Sequence, residues 1–249
     1  MRRFAIAPER IVDGRVTFDA RQSRHLSRVM RLEPGDTVIA SDGMGHDYTV
    51  RLDAVGPRAL GTVLGTATRP VESPLAITLV QAVPKGDKMD GIVRAATELG
   101  VARVLPAIAA RTIVRLGPGA GTARAERWRR IASEAAKQSG RAVVPEVAAP
   151  APLTACLEAA RESDLAVCLW EGEAPPLAAV CADAGRPARV AVLVGPEGGL
   201  EAAEVDEARR AGWRLASLGP RILRTETAGP SIIAILQARF GDLGADAAR

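Results

Sequence analysis

The chain reads as an α/β protein: a parallel sheet with helices on both faces, preceded by a small β-barrel. Three observations predict this. From Leu75 onward, apolar runs alternate with stretches of helical periodicity, the rhythm of strand, crossover helix, strand. The runs Ala76 to Val83 and Val190 to Val194 are almost continuously apolar, as strands covered on both faces are. Residues 1 to about 70 instead carry short segments cut by Gly56-Pro57 and Arg69-Pro70, the pattern of a compact barrel. The expected division lies near Arg69 to Pro74, giving domains of residues 1–72 and 73–249.

In the first domain, Asp36 to Ser41, Tyr48 to Leu52 and Ala59 to Thr66 read as strands, with a turn at Asp42-Gly43. One helix interrupts them. Ser23 is read as its N-cap, with Leu26, Val29 and Met30 on one face. In the second domain, Asp87 to Leu99 carries a stripe of Met89, Ile92, Val93, Ala96 and Leu99, and Gly100 stops it. Arg103 to Ile108 is the next strand. A Gly-rich loop over 116–123 leads to a helix from about Arg124 to Ser139 that buries Trp128, Ile131, Ala132, Ala135 and Ala136. Leu165 to Trp170, Val190 to Val194 and Arg214 to Leu218 are three further strands. Glu201 to Ala211 and Pro230 to Phe240 are the last helices.

Composition narrows the function classes. No apolar run reaches membrane-spanning length, and no apolar signal core follows Met1-Arg2-Arg3-Phe4, so no export signal is read. Three widely spaced cysteines match neither a zinc pattern nor a disulfide framework, which suits the cytoplasm. With His25 and His46 as the two histidines, no metal site is expected. Net charge is +4, but it is segregated. Residues 1–31 hold eight Arg against three acids, and 103–141 hold nine Arg and Lys against two. Residues 151–207 hold three Arg against eleven acids. A basic face of this kind suits a phosphate backbone.

Several chemistries are excluded. Gly117-Pro-Gly119-Ala-Gly121 puts Thr122 where a dinucleotide loop has its third glycine, so it reads as a linker. The GPEGG turn at Gly195 to Gly199 lacks the Lys-Ser/Thr of a phosphate loop, and no serine nucleophile elbow is present. Cys168 lies inside a strand and reads as core.

Two turns carry the functional signal. GPEGG directly follows the strand Val190 to Val194, and Ser217-Leu-Gly-Pro-Arg-Ile-Leu-Arg-Thr-Glu-Thr227 follows the strand at Arg214. Open α/β sheets bind ligands beyond the carboxyl ends of their strands. Gly195, Gly198 and Gly199 let backbone approach a ligand, and Glu197 is placed near a helix N-terminus, where the dipole favours it. Ile222 and Leu223 are apolar within a loop, so something must cover them; a flat apolar ring such as adenine would. Thr227 is read as the cap of the last helix, with Pro230 in its first turn.

These turns, with Pro84-Lys-Gly-Asp-Lys-Met89, Ala95-Ala-Thr-Glu-Leu-Gly100, Glu134-Ala-Ala-Lys-Gln-Ser-Gly-Arg141 and His25-Leu-Ser-Arg-Val-Met-Arg-Leu32, resemble the RsmE family of bacterial ribosomal RNA methyltransferases. The resemblance covers nearly the whole chain; Gly229-Pro230-Ser231 departs from it. It implies a PUA-like RNA-binding barrel joined to a SPOUT domain with a C-terminal trefoil knot. It also implies a homodimer that uses S-adenosyl-L-methionine to methylate N3 of uridine 1498 in 16S rRNA of the small ribosomal subunit. Val194, Gly195, Gly199, Ser217, Leu218, Gly219, Ile222, Leu223 and Arg224 would surround the cofactor. Arg224 would stabilise negative charge developing on the base, and Glu226 is a candidate proton acceptor, with pairing to Arg221 or Arg224 as its alternative role. Arg2, Arg3, His25, Arg28 and Arg31, with Lys85 and Lys88, are the RNA-facing candidates; on a helix Arg24, Arg28 and Arg31 share a side. Seven aromatics are too few for stacking platforms, so electrostatics should dominate RNA binding. Two other readings stay open: an RNA-binding or ribosome-assembly module without catalysis, and a related methyltransferase with another RNA target.

Overall fold

The apolar run after Leu75 becomes an interior strand of a seven-stranded parallel sheet in the computed structural model, which describes residues 3–68, 72–113 and 120–244. The chain divides into two units. The first holds residues 1–72 and takes back the short segment 140–144; the second holds the remainder.

The first unit contains β1 (Arg3–Ala5), a 3-10 turn at Pro8–Arg10, β2 (Ile11–Val12), β3 (Arg15–Thr17), α1 (Ala20–Arg24), β4 (Thr37–Ser41), β5 (His46–Ala54) and β6 (Leu60–Thr68). The strands pair in the order β1-β4-β5-β6-β3-β2, with β1 parallel to β4 and the other pairs antiparallel. Phe4, Val16, Val38, Ala40, Val50 and Leu52 alternate inward from this sheet onto Phe18 and Leu26. The described pairings form an open path with β1 and β2 as its edges, so hydrogen bonds do not close the expected barrel; the strands wrap a common core.

The helix of this unit starts earlier than the sequence suggests. Asp19, not Ser23, is its cap: Asp19 Oδ1 accepts from Gln22 N at 2.7 Å, and Asp19 N donates to Gln22 Oε1 at 3.0 Å. Ser23 is buried, and its hydroxyl accepts from Ala59 N at 2.9 Å. A π-turn over His25–Val29 follows α1. That wider turn rotates Val29 out to solvent, whereas Leu26 stays buried. Arg31 lies past the turn in a left-handed conformation (φ 50°), so it does not share a helix side with Arg24 and Arg28. Segment 140–144 is held by Glu72, whose Oε1 accepts from Ala142 N and Val143 N at 2.8 and 3.0 Å and whose Oε2 pairs with Arg141 at 2.6 Å.

The second unit runs β7 (Ala76–Ala82), α2 (Lys88–Glu98), β8 (Val101–Ile108), α3 (Ala120–Ser139), β9 (Glu146–Val147), β10 (Ala151–Pro152), α4 (Leu153–Ala159), β11 (Leu165–Leu169), α5 (Leu177–Ala182), β12 (Arg189–Val194), α6 (Ala202–Arg210), β13 (Arg214–Ala216) and α7 (Thr225–Phe240). Strand order is β10-β8-β7-β12-β11-β13, with β9 also on β8. Val80, Ala82, Leu105, Cys168, Leu193 and Leu215 form one face of the sheet and pack with Leu153 and Leu157 of α4 and Val205 of α6. Leu79 and Gln81 point the other way, where α7 approaches so closely that a Cβ at Gly229 would lie 3.0 Å from Gln81 Oε1. Gln237 fixes the far end of α7, accepting from Ser73 Oγ at 2.6 Å and donating to Gly100 O at 3.2 Å. Gly100 ends α2 in the expected left-handed conformation (φ +85°).

The short elements β9, β10, α4 and α5 give no periodic signal in the sequence. Helix α3 begins at Ala120, inside the expected Gly-rich loop; Gly117 and Gly119 lie outside the described residues. Cys168 is core, as read: burial pushes its thiol up to about 12, leaving no reactive thiolate near neutrality. Among the described residues no helix is long and apolar enough to cross a membrane, and no group of His, Cys, Asp and Glu could hold a metal ion.

Candidate active site

Strand order determines where the site forms. β12 enters the sheet between β7 and β11, and the chain then passes to the far side of β11 to form β13. The loops that leave β11, β12 and β13 therefore emerge side by side at the carboxyl edge. They line one cavity of about 770 Å³. Its walls are Leu169, Trp170 and Glu171 at the end of β11, Val194 to Gly199 at the end of β12, and Ala216 to Glu226 from the end of β13 into α7, with Lys88 of α2 at one side. Such a crevice is where α/β sheets bind small ligands. The structure brings together every residue read from the two glycine turns: Val194, Gly195, Gly199, Ser217, Leu218, Gly219, Ile222, Leu223 and Arg224 all line it.

The GPEGG turn is built for close approach. A Cβ at Gly195 would sit 3.2 Å from Leu200 Cγ and from the Leu200 backbone nitrogen. Gly199 has φ +71°, and a Cβ there would fall on Glu171 Oε1. The turn is braced from behind by the residues that follow β8: Arg111 Nη1 donates to Gly198 O at 2.7 Å, and Ala110 N donates to Glu204 Oε1 at 2.7 Å. Helix α6 is capped by Glu201, whose backbone N–H donates to Glu204 Oε2 at 2.8 Å. Glu197 is thus outside α6 and does not serve its dipole. Its carboxylate accepts from Lys85 N at 3.0 Å and from Lys88 Nζ at 3.0 Å.

Lys88 also reaches Glu226 Oε2, at 3.3 Å. One ammonium therefore ties the β12 loop to the first turn of α7, and Glu226 pairs with Lys88 instead of Arg221 or Arg224. Lys88 is raised above its ordinary value, first by its hydrogen bond to Glu197. Burial alone would raise Glu197, but its own backbone N–H, the Lys88 ammonium and the Lys85 N–H outweigh it and hold the carboxyl low. A lowered carboxyl stabilises the fold above its ordinary value of 4.5, and the gain is lost as pH falls through the folded value. A raised lysine stabilises below its ordinary 10.5, and that gain is lost as pH rises through the folded value. The clamp is therefore at full strength at neutral pH. The difference in Tm between wild type and Lys88→Met should be constant through neutral pH, begin to shrink below about pH 4.5, where Glu197 of the unfolded chain takes up its proton, and be lost as pH falls through the lower folded value. Thermal melts across pH check this; a gap that persists at acid pH would mean that Lys88 acts by packing alone.

The start of α7 differs from expectation. Arg224 occupies the cap position with extended backbone, and Thr225 opens the helix, so Thr227 is an interior residue and Pro230 is sixth in the helix. Thr225 Oγ1 donates to Gly195 O at 2.7 Å, which carries the helix back to the β12 loop. Arg224 and Arg221 are exposed, and among the described residues neither is in an ion pair. Ile222 is 84% exposed, an apolar side chain standing at the cavity with no cover from this chain. Trp170 and Glu171 are the site residues that sequence reasoning missed. Nothing in their spacing marks them; their one signal is their position just past a parallel strand.

The RNA-facing candidates are less uniform. Arg3 is paired to Asp47 at 2.7 Å, and Lys88 is held by two carboxylates. His25, Arg28, Arg31 and Lys85 are exposed; His25 meets Phe4 edge to face, with ring centroids 6.0 Å apart. Arg2 lies outside the described residues. On α3, Arg127 pairs with Asp90, and Arg129 Nε donates to Val147 O at 2.8 Å.

Comparison with known proteins matches this architecture. Residues 71–237 fit the model of an RNA methyltransferase domain, and residues 18–60 that of an RNA methyltransferase PUA domain. Ribosomal RNA small subunit methyltransferase E of Synechocystis sp. is 35% identical over 95% of this chain and 77% of its own length. The Bacillus subtilis protein of the same name is 33% identical over 82% of each chain. The crystal structure of the Neisseria gonorrhoeae enzyme of that name, bound to S-adenosyl methionine, superposes with a TM-score of 0.82 at 36% identity, covering 97% of this chain and 99% of that one. A sheet whose three adjacent loops enclose one cavity, preceded by a PUA-type unit, places this chain in the ribosomal RNA small subunit methyltransferase E family.

Proposed function

We propose that this chain transfers a methyl group from S-adenosyl-L-methionine to N3 of uridine 1498 in 16S rRNA of the small ribosomal subunit. The observation that carries the reading is the convergence of three strand-end loops on one cavity with mixed apolar and charged walls. When bound there, the cofactor supplies an electrophilic methyl on a sulfonium. The residues present fit such a group. Glycine backbone at Gly195, Gly199 and Gly219 permits close approach, and Ile222, Leu223 and Leu218 offer apolar cover for a flat ring. Glu171 supplies a carboxylate wall suited to a cation.

The chain's own task is positioning and charge. Uridine N3 carries a proton that must leave, so the ring passes through negative charge. Arg224 lines the cavity with its guanidinium free of any described carboxylate, which suits it to stabilise that charge. Glu226, two residues further in the first turn of α7, is the candidate acceptor for the proton. Its carboxylate is engaged by Lys88, so more of the barrier falls to Arg224. The base must be unpaired or extruded to reach the cavity. His25, Arg28, Arg31, Arg3 and Lys85, together with Arg2, are assigned to the RNA, with strong salt dependence expected. Family resemblance further supports a SPOUT-type trefoil knot at the C-terminus, consistent with α7 returning over β12 after β13, and a cytoplasmic homodimer.

Mass-spectrometric mapping of 16S rRNA from a strain lacking the gene tests the function. One N3-methyluridine should disappear and return when the gene is restored. Persistence of that nucleotide in the deletion strain would refute the assignment.

A further inference from the structure

Gln81 is a polar side chain one residue before the end of the buried strand β7, with 0% exposure. An amide withdrawn from water needs hydrogen bonds to compensate. Its Nε2 donates to Ala82 O at 3.0 Å and to Thr225 Oγ1 at 2.9 Å. A carbonyl cannot donate, so the nitrogen must face Ala82 and the amide has one permitted orientation. The Thr225 hydroxyl gives its single proton to Gly195 O at 2.7 Å and therefore accepts from Gln81. The relay runs in one direction, from Gln81 to Thr225 to the carbonyl that opens the GPEGG turn. Among the described residues, Gln81 Oε1 has no hydrogen-bond partner. Leucine or methionine would fill a similar volume without stranding an acceptor, so packing does not explain glutamine here. The relay does.

We infer that Gln81, which does not line the cavity, is a positioning residue for binding of the methyl donor: through the Thr225 hydroxyl it fixes the Gly195 peptide and hence the shape of the cavity wall. The inference rests on the methyltransferase reading of that cavity. Three elements far apart in sequence meet in this relay: β7, the loop after β12 and the first turn of α7. Loss of one link should loosen the turn without removing a group that touches the reacting atoms.

The test uses Gln81→Leu, Thr225→Val, their double variant and Thr225→Ser in the full-length protein. Calorimetry with S-adenosylmethionine should show each of the first two weakened about tenfold, the effect of one buried hydrogen bond. KM for the donor should rise with kcat little changed. The double variant should be no weaker than the weaker single, because both break one relay, and Thr225→Ser should bind like wild type. Hydrogen–deuterium exchange gives a second readout that needs no cofactor. The Gly199 amide, which donates to Pro196 O at 3.0 Å, should exchange faster in Gln81→Leu and Thr225→Val. Additive losses, or native affinity in a folded Thr225→Val, would overturn the inference, and Thr225→Val decides it even if Gln81→Leu fails to fold. Wild-type protein that binds no donor would defeat the functional reading alone; unchanged exchange over residues 195–199 would then defeat the relay separately.

Discussion

Alanine in place of Arg224 is expected to lower the rate of methyl transfer about 10²–10³-fold, the usual effect of removing one group that stabilises developing charge. The fold should be unaffected. Arg224 caps α7 with its backbone and makes no side-chain capping bond, and no described carboxylate depends on its guanidinium. Removing it therefore strands no buried charge, and Tm should stay near that of wild type. Donor affinity should change far less than turnover, since the glycine turns and apolar walls remain. Lysine at this position keeps the charge but loses the planar fork, so Arg224→Lys should fall between wild type and alanine. Single-turnover methylation of small-subunit RNA, with calorimetry for the donor, separates the two effects. A rate unchanged in Arg224→Ala would take this residue out of the mechanism.

The parts of this site that sequence revealed are those where the backbone itself is constrained. GPEGG and the turn at Gly219 announce themselves because close approach and positive φ favour glycine. The main strands were legible because β7 and β12 are buried on both faces and so lack a polar alternation. What sequence hid was tertiary. Sequence places the start of α7 at Pro230, yet the helix begins five residues earlier because Thr225 is tied to Gly195 and Gln81. No local propensity encodes that tie. Glu171 joined the site only because β11 lies between β12 and β13, a strand order that the chain order does not give. The return of segment 140–144 to the first unit rests on long-range contacts: Glu72 satisfies two of its backbone N–H groups and Arg141 at once, and Gly43 and Gly45 exchange backbone hydrogen bonds with it. The partners of Lys88 are hidden from sequence for a related reason. A lysine after a strand in a basic chain suggests phosphate, but its two glutamate partners, in the β12 loop and the first turn of α7, lie more than a hundred residues downstream.

The same dependence of the site on the sheet beneath it makes Leu193→Ala the stability variant with the largest expected effect. Leu193 is 0% exposed, lies opposite Val80 of β7 and Cys168 of β11, and shares its core with Leu200, just past GPEGG. Strand neighbours on both sides prevent the backbone from closing over a missing side chain, so much of the cavity should persist. Loss of a fully buried leucine then costs about 3–5 kcal/mol, against a total of roughly 5–15 for a domain. Denaturant unfolding should show the midpoint fall with little change in slope. Part of the loss should also reach the site. Val194 and Gly195 follow Leu193 directly, and Leu200 packs under the position a Gly195 Cβ would take, so a void at Leu193 frees Leu200 and with it the turn. Donor affinity should weaken in the same variant, whereas truncation of Leu52, buried in the separate core of the first unit, should lower stability and leave donor affinity intact. Equal affinity in the two variants would show that the turn is held by its own hydrogen bonds and not by the core below it.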